Sequence, residues 1–242
     1  MVLCLLLLQF AAGNHPSSLE DADEAFRRIE YQTALEAYTS LLSASPHRPD
    51  ILWRLARVCV CIGETAEEPE QAIYFRNAEE YARQCIAIDS LSVEGHTWVA
   101  AALGYIAYNA GKSEQVRLAW EILREADRSI VLDPRNDAAY SIKGSVYRAL
   151  GSASWLERQL AQLFIGKLPP GGYDEGEEAL RQAIALAPDV MRHHYELGVL
   201  YINWGKKEEA KKCLERAREL PVRVGIDRPR LEKIKELLKN LE

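Results

Sequence analysis

Histidine and cysteine are the residues through which this chain would do metal or nucleophilic chemistry, and their spacing argues against both. His15, His47, His96, His193 and His194 are scattered, with no H-E-x-x-H run to set two imidazoles and a general base on one helical face. His193 and His194 are neighbours, so on a helix their side chains diverge by ~100° and cannot hold one ion together. Cys59 and Cys61 stand two apart on a predicted helix and point to different sides, while Cys85 and Cys213 occupy apolar helical positions. With no C-x-x-C pair and no histidine at ligand spacing, the cysteines read as buried free thiols. No glycine-rich phosphate loop follows a strand, and no strand is predicted. The expectation is a non-enzymatic chain with no catalytic, cofactor-binding or metal site.

What remains is recognition chemistry, and it depends on which helical faces meet. The organising stretch is Met191–Pro221, where Leu197, Gly198 and Tyr201 fall on one helix and Trp204-Gly205-Lys206 form a turn. Ala210, Leu214 and Ala217 follow on a second helix, which Pro221 ends. This order of large, small and aromatic, then small, large and small, is the tetratricopeptide (TPR) helix-turn-helix pattern. Gly198 and Ala210 are small where two antiparallel helices cross, and Tyr201 and Leu214 fill the space beside them. A hairpin of this kind leaves an apolar face that must stack on a neighbour.

The pattern recurs upstream. Ser18 is placed to cap a first helix carrying Ala22 and Phe26, followed by Ala34, Tyr38 and Leu41. Trp53, Ala56 and Val60 pair with Ala78, Ala82 and Cys85. Trp98, Ala101, Ala102 and Tyr105 precede a long helix over roughly Ser113–Leu132, and Tyr140, Gly144 and Tyr147 pair with Gly176, Leu180 and Ala183. The fold class is therefore all-α, a TPR-like α-solenoid of about five hairpins, at about 19–47, 50–90, 94–134, 137–188 and 191–221. Leu231, Ile234, Leu238 and Leu241 make the apolar stripe of a C-terminal capping helix over 227–241. The terminators Pro46, Ser90, Pro134, Pro188 and Pro221 lie 44, 44, 54 and 33 residues apart, against a plain TPR period of ~34. Longer second helices and longer loops must absorb the excess.

In this register the concave groove is lined by Arg54, Val58, His96, Val99, Ser141, Arg148, Arg192, Tyr195 and Asn203, a place for an extended peptide or helix of a protein partner. Arg54, Arg148 and Arg192 either hold a carboxylate of that partner by charge-assisted hydrogen bonds or pair with acids on neighbouring helices. Inside the fourth hairpin, Trp155, Leu156, Leu160, Leu163 and Phe164 form an amphipathic helix broken by Pro169-Pro170-Gly171-Gly172. It either packs on the hairpin or meets a membrane or partner, and Arg158 and Lys167 are too few for a strong anionic-lipid site.

Residues 1–13, MVLCLLLLQFAAG, are almost wholly apolar and fit the core of a signal peptide cleaved near Ala12, or a membrane-associating segment; residues 14–18 read as a linker into the domain 19–242. Cleavage would make the protein exported, periplasmic or secreted, and retention would leave it membrane-anchored or cytoplasmic. The net charge of −6 on 242 residues leaves no basic footprint for nucleic acid.

The chain resembles the regulator of microtubule dynamics family. The resemblance rests on Leu52-Trp53-Arg54-Leu55-Ala56-Arg57, His96-x-Trp98, Ile130-x-Leu132-Asp133-Pro134 and Trp155-x-x-Arg158-x-Leu160-Ala161. It continues through Pro169-Pro170, Tyr173 and the Leu197-Gly198 hairpin, and so covers roughly Ala22–Pro221. It implies a non-enzymatic TPR-like scaffold that associates with microtubules or spindle poles, sometimes anchored at mitochondria or other membranes. An exported chain could not meet tubulin. The alternative function is a lipid-handling or membrane-contact module using the apolar N-terminus and the Trp155–Phe164 helix.

Overall fold

The computed structural model describes residues 18–242, which form twelve α-helices with no strand among them. The signal-like segment and residues 14–17 lie outside the described residues. The first hairpin is α1 (Leu19–Arg27) with α2 (Tyr31–Ala44), the second α3 (Pro49–Gly63) with α4 (Glu70–Ile88), and the third α5 (Val93–Tyr108) with α6 (Lys112–Leu132). In the fourth, α7 (Asp137–Gly151) is followed by the inserted α8 (Trp155–Phe164) before its partner α9 (Tyr173–Leu186). The fifth is α10 (Met191–Trp204) with α11 (Lys207–Glu219), and α12 (Asp227–Asn240) packs on both. Each later hairpin's first helix also contacts the hairpin before it, so the array is a stack of neighbours that bury their apolar faces on one another.

Local signals explain the boundaries. Ser18 caps α1 through a reciprocal box in which its hydroxyl accepts from the Asp21 N–H at 3.1 Å and the Asp21 carboxylate accepts from the Ser18 N–H at 3.2 Å. Ser92 and Asn136 cap α5 and α7 in the simpler way. Gly205, at φ 79°, takes the left-handed conformation that ends α10 and turns the chain into α11. The long terminator intervals have plain causes: α4 and α6 run 19 and 21 residues, against 13 for α11, and the longest interval holds the inserted α8.

Small residues set the distance between helices. Ala22, Ala25, Ala34, Ala56, Ala82 and Ala210 are wholly buried, and Leu55, Leu180, Leu200 and Leu214 fill the spaces around them. At the fifth crossing a Cβ added to Gly198 would lie 2.7 Å from Leu214 Cγ, so the two helices approach as closely as glycine permits. Gly104, by contrast, faces open space, with nothing within 4 Å of such a Cβ. Gly198→Ala should therefore lower the urea midpoint by the equivalent of about 1–3 kcal/mol through overpacking, whereas Gly104→Ala should raise stability by about 0.5–1 kcal/mol through helix propensity.

Candidate functional site: a roofed arginine groove

The inner helices α3, α7 and α10 each bring an arginine to the concave side, and the three have different fates. Arg54 is consumed by the joint between the first two hairpins: its Nε donates to Asp23 at 2.8 Å, its Nη1 to the Asp50 carbonyl at 2.7 Å, and its guanidinium lies 4.2 Å from the Trp53 ring centre. Arg148 donates from Nη2 to Glu196 at 3.3 Å, while its buried Nε has no partner. Arg192 donates no hydrogen bond to any described residue, and its Nε is buried as well. Arg57, one turn beyond Arg54, stacks over Phe26 at 3.7 Å, sits 3.6 Å from Asp23 and again has a buried, unpartnered Nε.

Five of the other expected groove residues do not line it. Val58 and Val99 are fully buried, Ser141 is 1% exposed, and His96 is 8% exposed. The reason is geometric: each inner helix is packed against hairpins on both sides, so only a narrow stripe remains free, and one turn from Arg54 the face already belongs to the core around Leu55, Ala34 and Tyr38. His96 is tied by Nδ1 to Glu125 at 2.6 Å and by Nε2 to the Ser90 carbonyl at 3.2 Å, a structural joint rather than a ligand. Asn203, the fifth, is exposed at the hairpin end, where its Nδ2 donates to Ser152 and its carbonyl accepts from the Tyr173 hydroxyl. His193 and His194 part company as expected, one bonding Asp137 and the other the Pro188 carbonyl.

Tyr195 does face the groove, where a cavity of about 320 Å³ opens. Its walls come from Glu64, Gln71, Phe75, Tyr105, Tyr195 and Glu196, and its roof from Ile226, Pro229, Arg230 and Lys233. Phe75 and Tyr105 stack with ring centres 4.5 Å apart, and the Tyr105 hydroxyl donates to Glu64. Burial, and then the Glu64 charge, push the Tyr105 hydroxyl well above its ordinary pKa, so it remains a donor. Burial would also raise Glu196, but Arg148, Arg192 and Arg230 around it prevail and hold it below the usual carboxylate value. Burial works against the charge on Arg192, yet the Glu64 and Glu196 carboxylates nearby keep it firmly protonated. The groove is thus a polar interior whose carboxylates have partners and whose arginines keep donors in reserve.

Sequence spacing points to Arg192, Arg148 and Tyr195, but not to Arg57, Glu64, Tyr105, Glu196 or Arg230. Arg57 is within reach of the same register, three residues after Arg54. Glu64 and Arg230 carry no local signal, because one caps α3 and the other reads as the polar face of a capping helix.

The inserted α8 is fastened by Arg158, which donates to the Leu150 carbonyl and, at 3.3 Å, to that of Gly171. The Trp120 indole N–H donates to the Lys167 carbonyl at 2.8 Å, tying the far end of the insertion to α6. Leu163 and Phe164 at the end of α8 are 74% and 81% exposed; the side chains of Trp155 and Leu160 are outside what the structure describes. Cys59, Cys61 and Cys85 are buried, and burial lifts the Cys59 thiol to about 12, which leaves it unreactive. Among the described residues no group of three His, Cys, Asp or Glu side chains is placed to hold a metal, and no helix is long and apolar enough to cross a membrane.

Stacked helical hairpins around an inward-facing groove define a TPR-like solenoid. A thermophilic TPR protein of Thermus thermophilus superposes with a TM-score of 0.67 at 21% identity, covering 90% of this chain and 97% of that one. The chain belongs to the regulator of microtubule dynamics protein 1–3 family, whose model matches residues 18–242. It is 28% identical over 208 residues to regulator of microtubule dynamics protein 3 of Rattus norvegicus, covering 84% of this chain and 44% of the relative. It is also 21% identical over 221 residues to regulator of microtubule dynamics protein 1 of Caenorhabditis elegans, covering 91% of this chain and 98% of that protein. The chain thus spans less than half the length of the rat relative and nearly all of the nematode one.

The arginines around Glu196 make an acid prediction. Because its folded pKa is depressed, its contribution to stability is present above the unfolded value of about 4.3 and is lost as pH falls through the folded value. Glu196→Gln should cost about 1–3 kcal/mol at pH 7. In urea titrations from pH 7 to 3, the gap between variant and wild type should close below about pH 4.3; a gap independent of pH would contradict the assignment.

Proposed function

We propose that the chain is a non-catalytic docking scaffold whose concave groove holds an acidic segment of a protein partner, with Arg192 as the seat and Arg148 near it across Glu196. The observation that carries this reading is Arg192, a guanidinium on the inner side of the solenoid that makes no hydrogen bond to any described residue. A buried donor left without an acceptor costs about 1–3 kcal/mol, and a carboxylate that supplies the acceptor recovers it through a charge-assisted bond. The chain's own net charge of −6 disfavours indiscriminate capture of acidic peptides, so binding must come from this local arrangement. The family name extends the reading to microtubules as a surface presenting such a segment, in a compartment where the two can meet.

The test is titration of fluorescein-labelled decaglutamate by fluorescence anisotropy. Arg192→Met, which keeps the aliphatic stem and removes the charge, should weaken binding at least about tenfold, whereas Arg54→Met should change it less than about threefold because Arg54 is already held by Asp23. Equal binding by wild type and Arg192→Met, with helicity intact in both, would end the groove reading.

A second reading, contact with a lipid surface, is favoured by the exposed Leu163 and Phe164 at the end of α8. The chain lacking residues 1–13 should float with phosphatidylcholine vesicles containing phosphatidylserine, and Leu163→Asp/Phe164→Asp should abolish flotation. No flotation of the parent leaves this reading without support.

A further inference from the structure

The C-terminal segment does more than cap the last hairpin. Beyond Pro221 the chain crosses to the first hairpin, where the Gly225 N–H donates to Tyr31 Oη at 2.8 Å, 194 residues away in sequence. The approach is close: a Cβ at Gly225 would lie 3.1 Å from the Tyr31 ring, so that the ring must give by a few tenths of an ångström, and 3.5 Å from Ile29, an ordinary van der Waals distance. The crossing holds its own shape. The Asp227 carboxylate accepts from the Arg223 N–H at 2.9 Å and the Val224 N–H at 3.2 Å, and it pairs with Arg230 in a buried contact. Ile226, Pro229 and Arg230 then lie over the cavity, with the Arg230 guanidinium 5.7 Å from the Tyr195 ring centre.

The two ends of this crossing are unequally fastened. On the α12 side, Ile234 and Leu238 are buried with Leu214 and Ala217. On the Tyr31 side the fastening is the hydrogen bond from the Gly225 N–H. Ile226, Pro229, Arg230 and Lys233 bound one side of the cavity, Glu196 lines it, and the Nε of Arg192, one turn before Glu196, is buried. We infer that residues 222–230 are a strap across the concave groove, latched to the first hairpin by Gly225 and Tyr31, and that an acidic partner segment reaches Arg192 when this latch releases. The inference rests on the groove reading above and adds its regulation: the apparent affinity is the intrinsic one scaled by the fraction of open strap.

Tyr31→Phe removes the latch acceptor and keeps the ring. Hydrogen exchange read by mass spectrometry needs no ligand: the Arg223 and Val224 amides, which Asp227 holds rather than Tyr31, should exchange about three- to tenfold faster in the variant, with α10 and α11 unchanged. Unchanged exchange over 222–226 would overturn the strap. Labelled decaglutamate should then bind Tyr31→Phe more tightly by a similar factor. Ile29→Cys/Gly225→Cys should lose the peptide when oxidised and regain it on reduction. Faster exchange with equal peptide binding in every form would overturn the gating and leave the groove standing. Faster exchange with no peptide binding in any form would overturn the groove reading and the gate with it.

Discussion

A helical hairpin with one apolar face cannot stand alone in water, and every feature of this chain follows from how its five hairpins bury that face on one another. The distance at which they do so is set by glycine and alanine at the crossings, with leucine and tyrosine packed around them. Close crossings on both sides of each inner helix leave a thin free stripe. That stripe is the part of α3, α5, α7 and α10 left to face a partner, which is why a register naming two or three residues per helix over-counts the groove.

What occupies the stripe is charge in an enclosed place. Carboxylates there are engaged: Asp23 with Arg54 and Tyr38, Glu64 with Tyr105, Glu196 with Arg148 and Ser145. The Asp23–Tyr38 bond joins the two helices of the first hairpin, and each of the others ties one hairpin to another. The arginines are in a different condition, since Arg57, Arg148 and Arg192 each retain a buried Nε without an acceptor. The fold satisfies its acids and leaves these guanidinium donors open.

The repeats were legible in the sequence because TPR positions are local: Gly198, Tyr201, Ala210 and Leu214 speak through their spacing alone. The capping serine of α1, the Gly205 turn and the inserted α8 were legible for the same reason. The groove was legible only in part. Arg192 and Tyr195 follow from the register, but Glu64 and Tyr105 meet across 41 residues and Tyr31 and Gly225 across 194. Such pairings depend on the accumulated rotation of the hairpins, which a periodic pattern does not encode. The segment after Pro221 reads as a simple cap because Leu231, Ile234 and Leu238 dominate its pattern, and the polar turn before them carries no sign of its destination.

The central claim is that recognition takes place inside the solenoid, against Arg192 and beneath the C-terminal crossing. The most direct measurement is photo-crosslinking of wild-type protein with a decaglutamate carrying a terminal benzophenone, followed by mass-spectrometric mapping of the adducts. The account predicts adducts at Tyr105, Tyr195 and residues 226–233, on the walls and roof of the cavity. Adducts confined to the outer faces of α4, α6 and α11 would contradict it.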